Sequence, residues 1–111
     1  MQRGQLYLLK PDQFGKQRPI VIISRNGLNA GHSVVAVPFY SQQLQKRAQQ
    51  PWCAAFRAGE GGLLKDCVAK TDELSLIDKL SIDIAKGPIG EFDAAQMTRV
   101  VQAAKWTLDI P

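Results

Sequence analysis

Arg18 stands between Gln17 and Pro19 at the head of the apolar run Pro19-Ile20-Val21-Ile22-Ile23-Ser24, and it is the residue best placed to do chemistry. A guanidinium cannot enter such a strand unpaired, so it must face solvent or an anion at the strand's mouth. Proline at the first strand position limits how freely that mouth moves. A cation fixed there suits the grip of a phosphate through two parallel hydrogen bonds. The alternative is a surface salt bridge. Charge along the chain bears on the choice: residues 1–59 carry eight basic side chains and one acidic one, residues 60–111 six basic and nine acidic. A basic half suits a polyanion, nucleic acid being the commonest, although scattered solubilising cations give the same count.

The elements that must position Arg18 are mostly short strands. Gln5 to Lys10 reads as a first strand, Pro11 to Gln17 as a loop, Pro19 to Ser24 as a buried strand and Ser33 to Pro38 as its antiparallel neighbour. Gln42 to Pro51, polar and rich in glutamine, reads as a mobile loop. Trp52 to Arg57 and Asp66 to Thr71 are two further strands, joined through a flexible Gly59-Glu60-Gly61-Gly62 turn. Leu74 to Leu80 reads as a turn or short helical piece, and Ser81 to Ala85 as a last strand before the Gly87-Pro88 break.

One helix follows. Asp93 with Gln96 three residues on forms a capping box, and Met97, Val100, Val101, Ala104 and Leu108 recur as an apolar stripe. This order of elements predicts a mainly β (α+β) fold, a small, curved antiparallel barrel with a C-terminal helix packed on it. Trp106 falls opposite Met97 on that helix, either as an anchor for a partner or folded against a loop of its own chain.

The 111 residues, 45% hydrophobic, suit a single domain over residues 1–111. No stretch reaches the length of a membrane span and Met1 to Gln5 lacks the pattern of a signal peptide, so the expected location is cytoplasmic. Cys53 and Cys67 then read as small buried hydrophobes with no chemistry.

Several segments together resemble the MazF/PemK/Kid family of bacterial toxin endoribonucleases: Arg3 to Leu9, Gln17-Arg18-Pro19 with its strand to Ser24, Val34 to Pro38 ending in Tyr40-Ser41, Gly62-Leu63, Val68 to Asp72, and Ile89-Gly90 before the helix. Their order and spacing, rather than any one of them, carry the resemblance. It implies an SH3-like barrel, a homodimer, and an acidic, partly disordered antitoxin as partner. It also implies cleavage of single-stranded RNA with no metal or other cofactor: a base takes the proton of a 2′-hydroxyl, the oxygen attacks the adjacent phosphorus, and an acid protonates the departing 5′-oxygen.

On that resemblance Arg18 matches a catalytic arginine and stabilises the dianionic transition state. The family's second cluster falls on Lys70-Thr71-Asp72, with Asp72 as base and Lys70 steadying charge or donating a proton. Two apart on a strand, these would share one face; the alternative is a cross-strand ion pair. Tyr40 and Ser41 stand where the family carries two small hydroxyl residues that touch phosphate, so Ser41 keeps a hydroxyl while Tyr40 offers a ring to stack on a base. Lys16, Lys46 and Arg47, on the two polar loops, are expected RNA contacts. The first loop is shorter than is usual in the family and lacks its acidic or histidine residue, and His32, in a turn, does not replace it. Two other readings keep the fold: a CcdB-like poison of DNA gyrase acting through Lys105 to Ile110, or an inactive relative that binds only RNA or the antitoxin.

Overall fold

A run that is apolar at every position must be covered on both faces. In the computed structural model, which describes residues 1–111, Ile20, Val21 and Ile22 are fully buried. They belong to β2 (Pro19–Ile22), which lies between β1 (Gln5–Leu8) and the long β3 (Ser33–Tyr40). All pairings are antiparallel, and Leu6, Val21 and Val37 stand in register across the three strands.

β3 is the spine of the sheet. Its first half pairs with β6 (Ser75–Asp78) and its end with β5 (Cys67–Lys70), which in turn carries β4 (Cys53–Phe56). At the far side β1 takes the short β7 (Gly90–Glu91). The sheet thus runs β4-β5-β3-β2-β1-β7 and curls as an open half-barrel. The C-terminal helix, α2 (Ala94–Thr107), packs on one face, as the order of elements predicts.

Two cores follow from the alternation of side chains. On the helix side Leu6, Val21 and Val37 meet Phe39, Phe56 and Phe92, with the last two rings stacked at 4.4 Å, and α2 contributes Met97, Val100 and Ala103. On the other side Tyr7, Ile20, Ile22, Val34 and Ala36 close over Ile82.

α2 begins where the capping box places it. Asp93 accepts from the Gln96 amide at 2.8 Å and Gln96 Oε1 accepts from the Asp93 amide at 2.8 Å. Its buried stripe is Met97, Val100, Ala103 and Ala104; Val101 is half-buried and Leu108 exposed, because the helix ends before Leu108 can reach the sheet. Asp93→Ala is expected to lower unfolding free energy by about 1 kcal/mol, read as a shifted denaturant midpoint at unchanged slope.

Four expectations are corrected. Gln42 to Pro51 is not a loop throughout: Leu44–Ala48 forms a short helix, α1, because Leu44, Arg47 and Gln50 recur every third residue and turn a half-buried face to β4. Leu74 to Leu80 contains strand β6, since Ile77 sits opposite Val34 over the second core. Ser81 to Ala85 is not a strand. Asp78 and Asp83 cap two 3₁₀ turns, at Lys79–Ser81 and Ile84–Lys86, by accepting from the Leu80 and Lys86 amides, and Ile82 alone bridges to Leu9. Finally, the glycine turn is tightly packed rather than flexible. A Cβ on Gly62, where φ is +82°, would collide with the Ile89 carbonyl oxygen, and one on Gly90 with that of Gly61.

Candidate active site

Arg18 is fixed from both ends. Its carbonyl oxygen accepts from the Leu9 amide at 2.9 Å, and its Nη1 donates to the carbonyl of Phe39, near the end of β3, at 2.7 Å. The guanidinium carbon then lies 3.9 Å from the centre of the Tyr40 ring. No carboxylate comes within ion-pair distance, so the salt-bridge alternative for Arg18 is not what the fold builds. Its remaining N–H donors are unused by the protein.

Tyr40 is the centre on which distant segments converge. It closes β3 opposite Val68 of β5. Besides Arg18, the Arg47 guanidinium of α1 stands 5.1 Å from the ring centre and the Lys70 ammonium 5.0 Å. Arg47 is also without a carboxylate, and its Nη1 is buried with no hydrogen-bond acceptor. With a guanidinium over its face, the ring is not the open stacking platform for a base that its type alone suggests.

Lys70 ends β5, and the chain turns there. Thr71, fully buried, anchors the turn: its hydroxyl bonds to the Trp52 carbonyl and to the Thr107 hydroxyl, both at 2.8 Å. Thr71–Glu73 is therefore a 3₁₀ turn, and Asp72 is brought beside Lys70 by that turn, not by the pleat of a strand. Lys70 Nζ lies 3.8 Å from Asp72 Oδ2 but donates at 2.7 Å to Glu73 Oε2. The cross-strand ion pair is thus replaced by a local one, and its main acid is a residue that the strand reading passes over. The hydroxyl of Tyr40 donates to the other Glu73 oxygen, Oε1.

The electrostatics follow from these contacts. Hydrogen bonds from Lys70 and then Tyr40 hold the Glu73 carboxyl below the usual glutamate range, keeping it ionised. Burial, and after it the bond to Glu73, pushes the Tyr40 hydroxyl up, so it remains a proton donor at neutral pH. Burial raises both thiols, Cys53 with help from Asp72, and Cys67 to about 11. Both cysteines are free and buried, as small hydrophobes are.

The other candidates are placed as follows. Ser41, half-buried beside Tyr40, makes no side-chain hydrogen bond within the protein. Lys46 is exposed on α1, and Lys16 is exposed in a turn that Asp12 closes by accepting its amide at 3.0 Å; neither is among the cations around Tyr40. Trp106 packs on Trp52 of its own chain at 5.3 Å and still exposes 56% of its surface. Glu73 and Thr71 are the residues that reading the sequence missed; the spacing of Lys70 and Glu73, three apart, signals a pair only once a helical turn is foreseen.

An arginine without a counter-charge, a second, half-buried arginine, a lysine and Glu73 gather around one ring, with Asp72 3.8 Å from the lysine, and these are groups of the kind that hold a phosphate and move a proton beside it. The chain's relatives agree in fold. An endoribonuclease in complex with its cognate antitoxin, from a mycobacterial species, is similar at 24% identity over 100% of this chain and 97% of that one, with a TM-score of 0.78. The Mycobacterium tuberculosis toxin MazF-mt6 follows at 18% identity, 96% and 98% coverage and a TM-score of 0.77. The MazE-MazF structure of Deinococcus radiodurans has 19% identity, 100% and 97% coverage and a TM-score of 0.75. By sequence, no curated protein matches the chain. The family model of the PemK-like, MazF-like toxins does match, over residues 2–108, which spans both the half-barrel and the helix whose Thr107 ties down the Thr71 turn, and the chain belongs to that family of type II toxin-antitoxin toxins.

Proposed function

We propose that this toxin is an endoribonuclease that cuts single-stranded RNA in the cytoplasm without a metal, arresting translation and growth. The observation that carries the reading is the unpaired Arg18, fixed by its own strand and by the end of β3, sharing the Tyr40 ring with Lys70, which Asp72 approaches at 3.8 Å, in a chain of this family. RNA brings its own nucleophile, the 2′-hydroxyl, so the protein needs a base, an acid and positive donors for the phosphate.

Asp72 is the base. Its side chain is 43% exposed and open to a substrate, whereas Glu73 is held by two donors. Arg18 binds the phosphate's non-bridging oxygens with its free N–H groups as charge grows on them. Lys70, 16% exposed, steadies the same charge and is placed to protonate the leaving 5′-oxygen. Ser41 adds a free hydroxyl, and Arg47, Lys46 and Lys16 extend the positive field along the RNA.

The same reading gives the toxin two protein partners. An acidic antitoxin would neutralise the basic surface, and a second copy of the chain would complete a homodimer; Trp106, half-exposed at the end of α2, is a candidate contact for either. The comparisons lend no support to the gyrase-poison alternative.

The test is incubation of the purified protein with a long unstructured RNA in EDTA, with the product ends mapped. The expected products carry a 2′,3′-cyclic phosphate and a 5′-hydroxyl. Intact RNA together with a block of supercoiling by DNA gyrase would overturn the reading.

A further inference from the structure

Glu73 has no part in the reaction just described, yet both of its carboxylate oxygens are engaged within the site. Its two carboxylate oxygens are each taken by a donor, Oε1 by the Tyr40 hydroxyl and Oε2 by Lys70 Nζ at 2.7 Å. A phosphodiester offers two non-bridging oxygens to two donors in the same way. We propose that Glu73 is a resident anion occupying the phosphate subsite between Lys70 and Tyr40, and that an RNA phosphate must exchange with it on binding; the proposal rests on the RNA-cleaving reading above.

Three observations support the exchange. The cation is the inner partner and the carboxylate the outer one: Lys70 is 16% exposed and Glu73 40%, so Glu73 can swing into water at little cost while Lys70 stays. The turn that bears it is anchored through the Thr71 side chain, not through Glu73, so its departure leaves Lys70 and Asp72 in place. Tyr40, freed of Glu73, keeps its proton and its ring contact with Arg18, and becomes a neutral donor to the incoming phosphate. Without RNA, Glu73 offsets the repulsion among Arg18, Arg47 and Lys70, which all lie within 5.1 Å of one ring centre.

The exchange makes Glu73 a limit on affinity. Binding must break an ion pair and leave a like charge near the phosphate, each about a two- to fivefold effect at a partly exposed site. The experiment measures binding of a fully 2′-O-methylated 12-nucleotide RNA, which cannot be cut, to the wild type and to Glu73→Gln, Glu73→Ala and Arg18→Ala, at several salt concentrations and with folding checked by circular dichroism. Both Glu73 variants are expected to bind about five- to tenfold more tightly, with a salt slope steeper by up to about 0.7, because in the wild type the displaced Glu73 carboxylate takes up a cation again in place of the one that the phosphate sets free. A merely structural role for Glu73 would not steepen that slope. Unchanged or weaker binding by both Glu73 variants, with Arg18→Ala also weakened, overturns the exchange and leaves the active site standing. Binding by Arg18→Ala equal to wild type overturns the site itself. A folded Glu73→Gln that cuts ordinary RNA at under about a hundredth of the wild-type rate also overturns the exchange, since that is the loss of a proton-transfer group.

Discussion

Arg18→Ala is expected to lower kcat for RNA cleavage by about 10²- to 10³-fold, equivalent to about 3 to 4 kcal/mol of transition-state stabilisation. The reason is its position. It is a permanent cation held at β2 and β3, with most of its donors free, so it needs no reorganisation as the phosphate gains charge. The same change removes the bond to the Phe39 carbonyl and the contact with Tyr40, which together contribute about 1 to 2 kcal/mol to folding. That cost is small against the stability of most domains, so a folded variant should be recovered and its melting temperature only modestly lowered. Arg18→Lys sharpens the measurement: it retains charge without the planar fork, and is expected to fall between wild type and alanine. Single-turnover cleavage rates at saturating enzyme separate this loss from any weakening of RNA binding.

Asp72→Asn is the second large effect. The amide keeps the shape of the side chain but cannot accept the 2′-hydroxyl proton, and the expected loss in kcat is about 10²- to 10⁴-fold. Stability should barely move, because Asp72 is 43% exposed and its pair with Lys70 is a loose 3.8 Å. The contrast with Glu73 is informative. If charge near Lys70 were all that mattered, neutralising either acid would act alike; on the proposed reading proton transfer falls to the open carboxylate and phosphate competition to the one held by two donors.

How much of this was legible in the sequence depends on how local each signal is. Arg18 could be placed because Pro19 and the uninterrupted apolar run mark a buried strand's first residue, and α2 because Asp93 and Gln96 cap each other across three residues. Strand β6 was hidden because three of its four residues face solvent and only Ile77 reaches inward. Helix α1 was hidden because a polar, glutamine-rich composition masked a half-buried repeat that acquires meaning only when β4 lies beneath it. Glu73 was missed for a different reason. A strand continued through Asp72 points Glu73 away from Lys70, and what ends the strand is the long-range anchoring of Thr71 to Trp52 and Thr107, which no local pattern announces.

Tyr40 shows the same limit from the other side. Its residue type suggests a stacking platform, but the fold surrounds it with Arg18, Arg47 and Lys70, drawn from three separate segments, and turns its hydroxyl into a partner for Glu73. The ring is a spacer that holds cations near one another and a donor at the mouth of the site.

The central claim is cleavage by the RNA's own 2′-hydroxyl at a site built from Arg18, Lys70 and Asp72. It is tested most directly by placing a single 2′-deoxynucleotide at a mapped cleavage position of an otherwise unmodified RNA and following the reaction in EDTA. Loss of the cut at that position, with the other positions cut as before, is the predicted result. Continued cutting at the deoxy position at the same rate, or no cleavage of the unmodified RNA in EDTA, would contradict it.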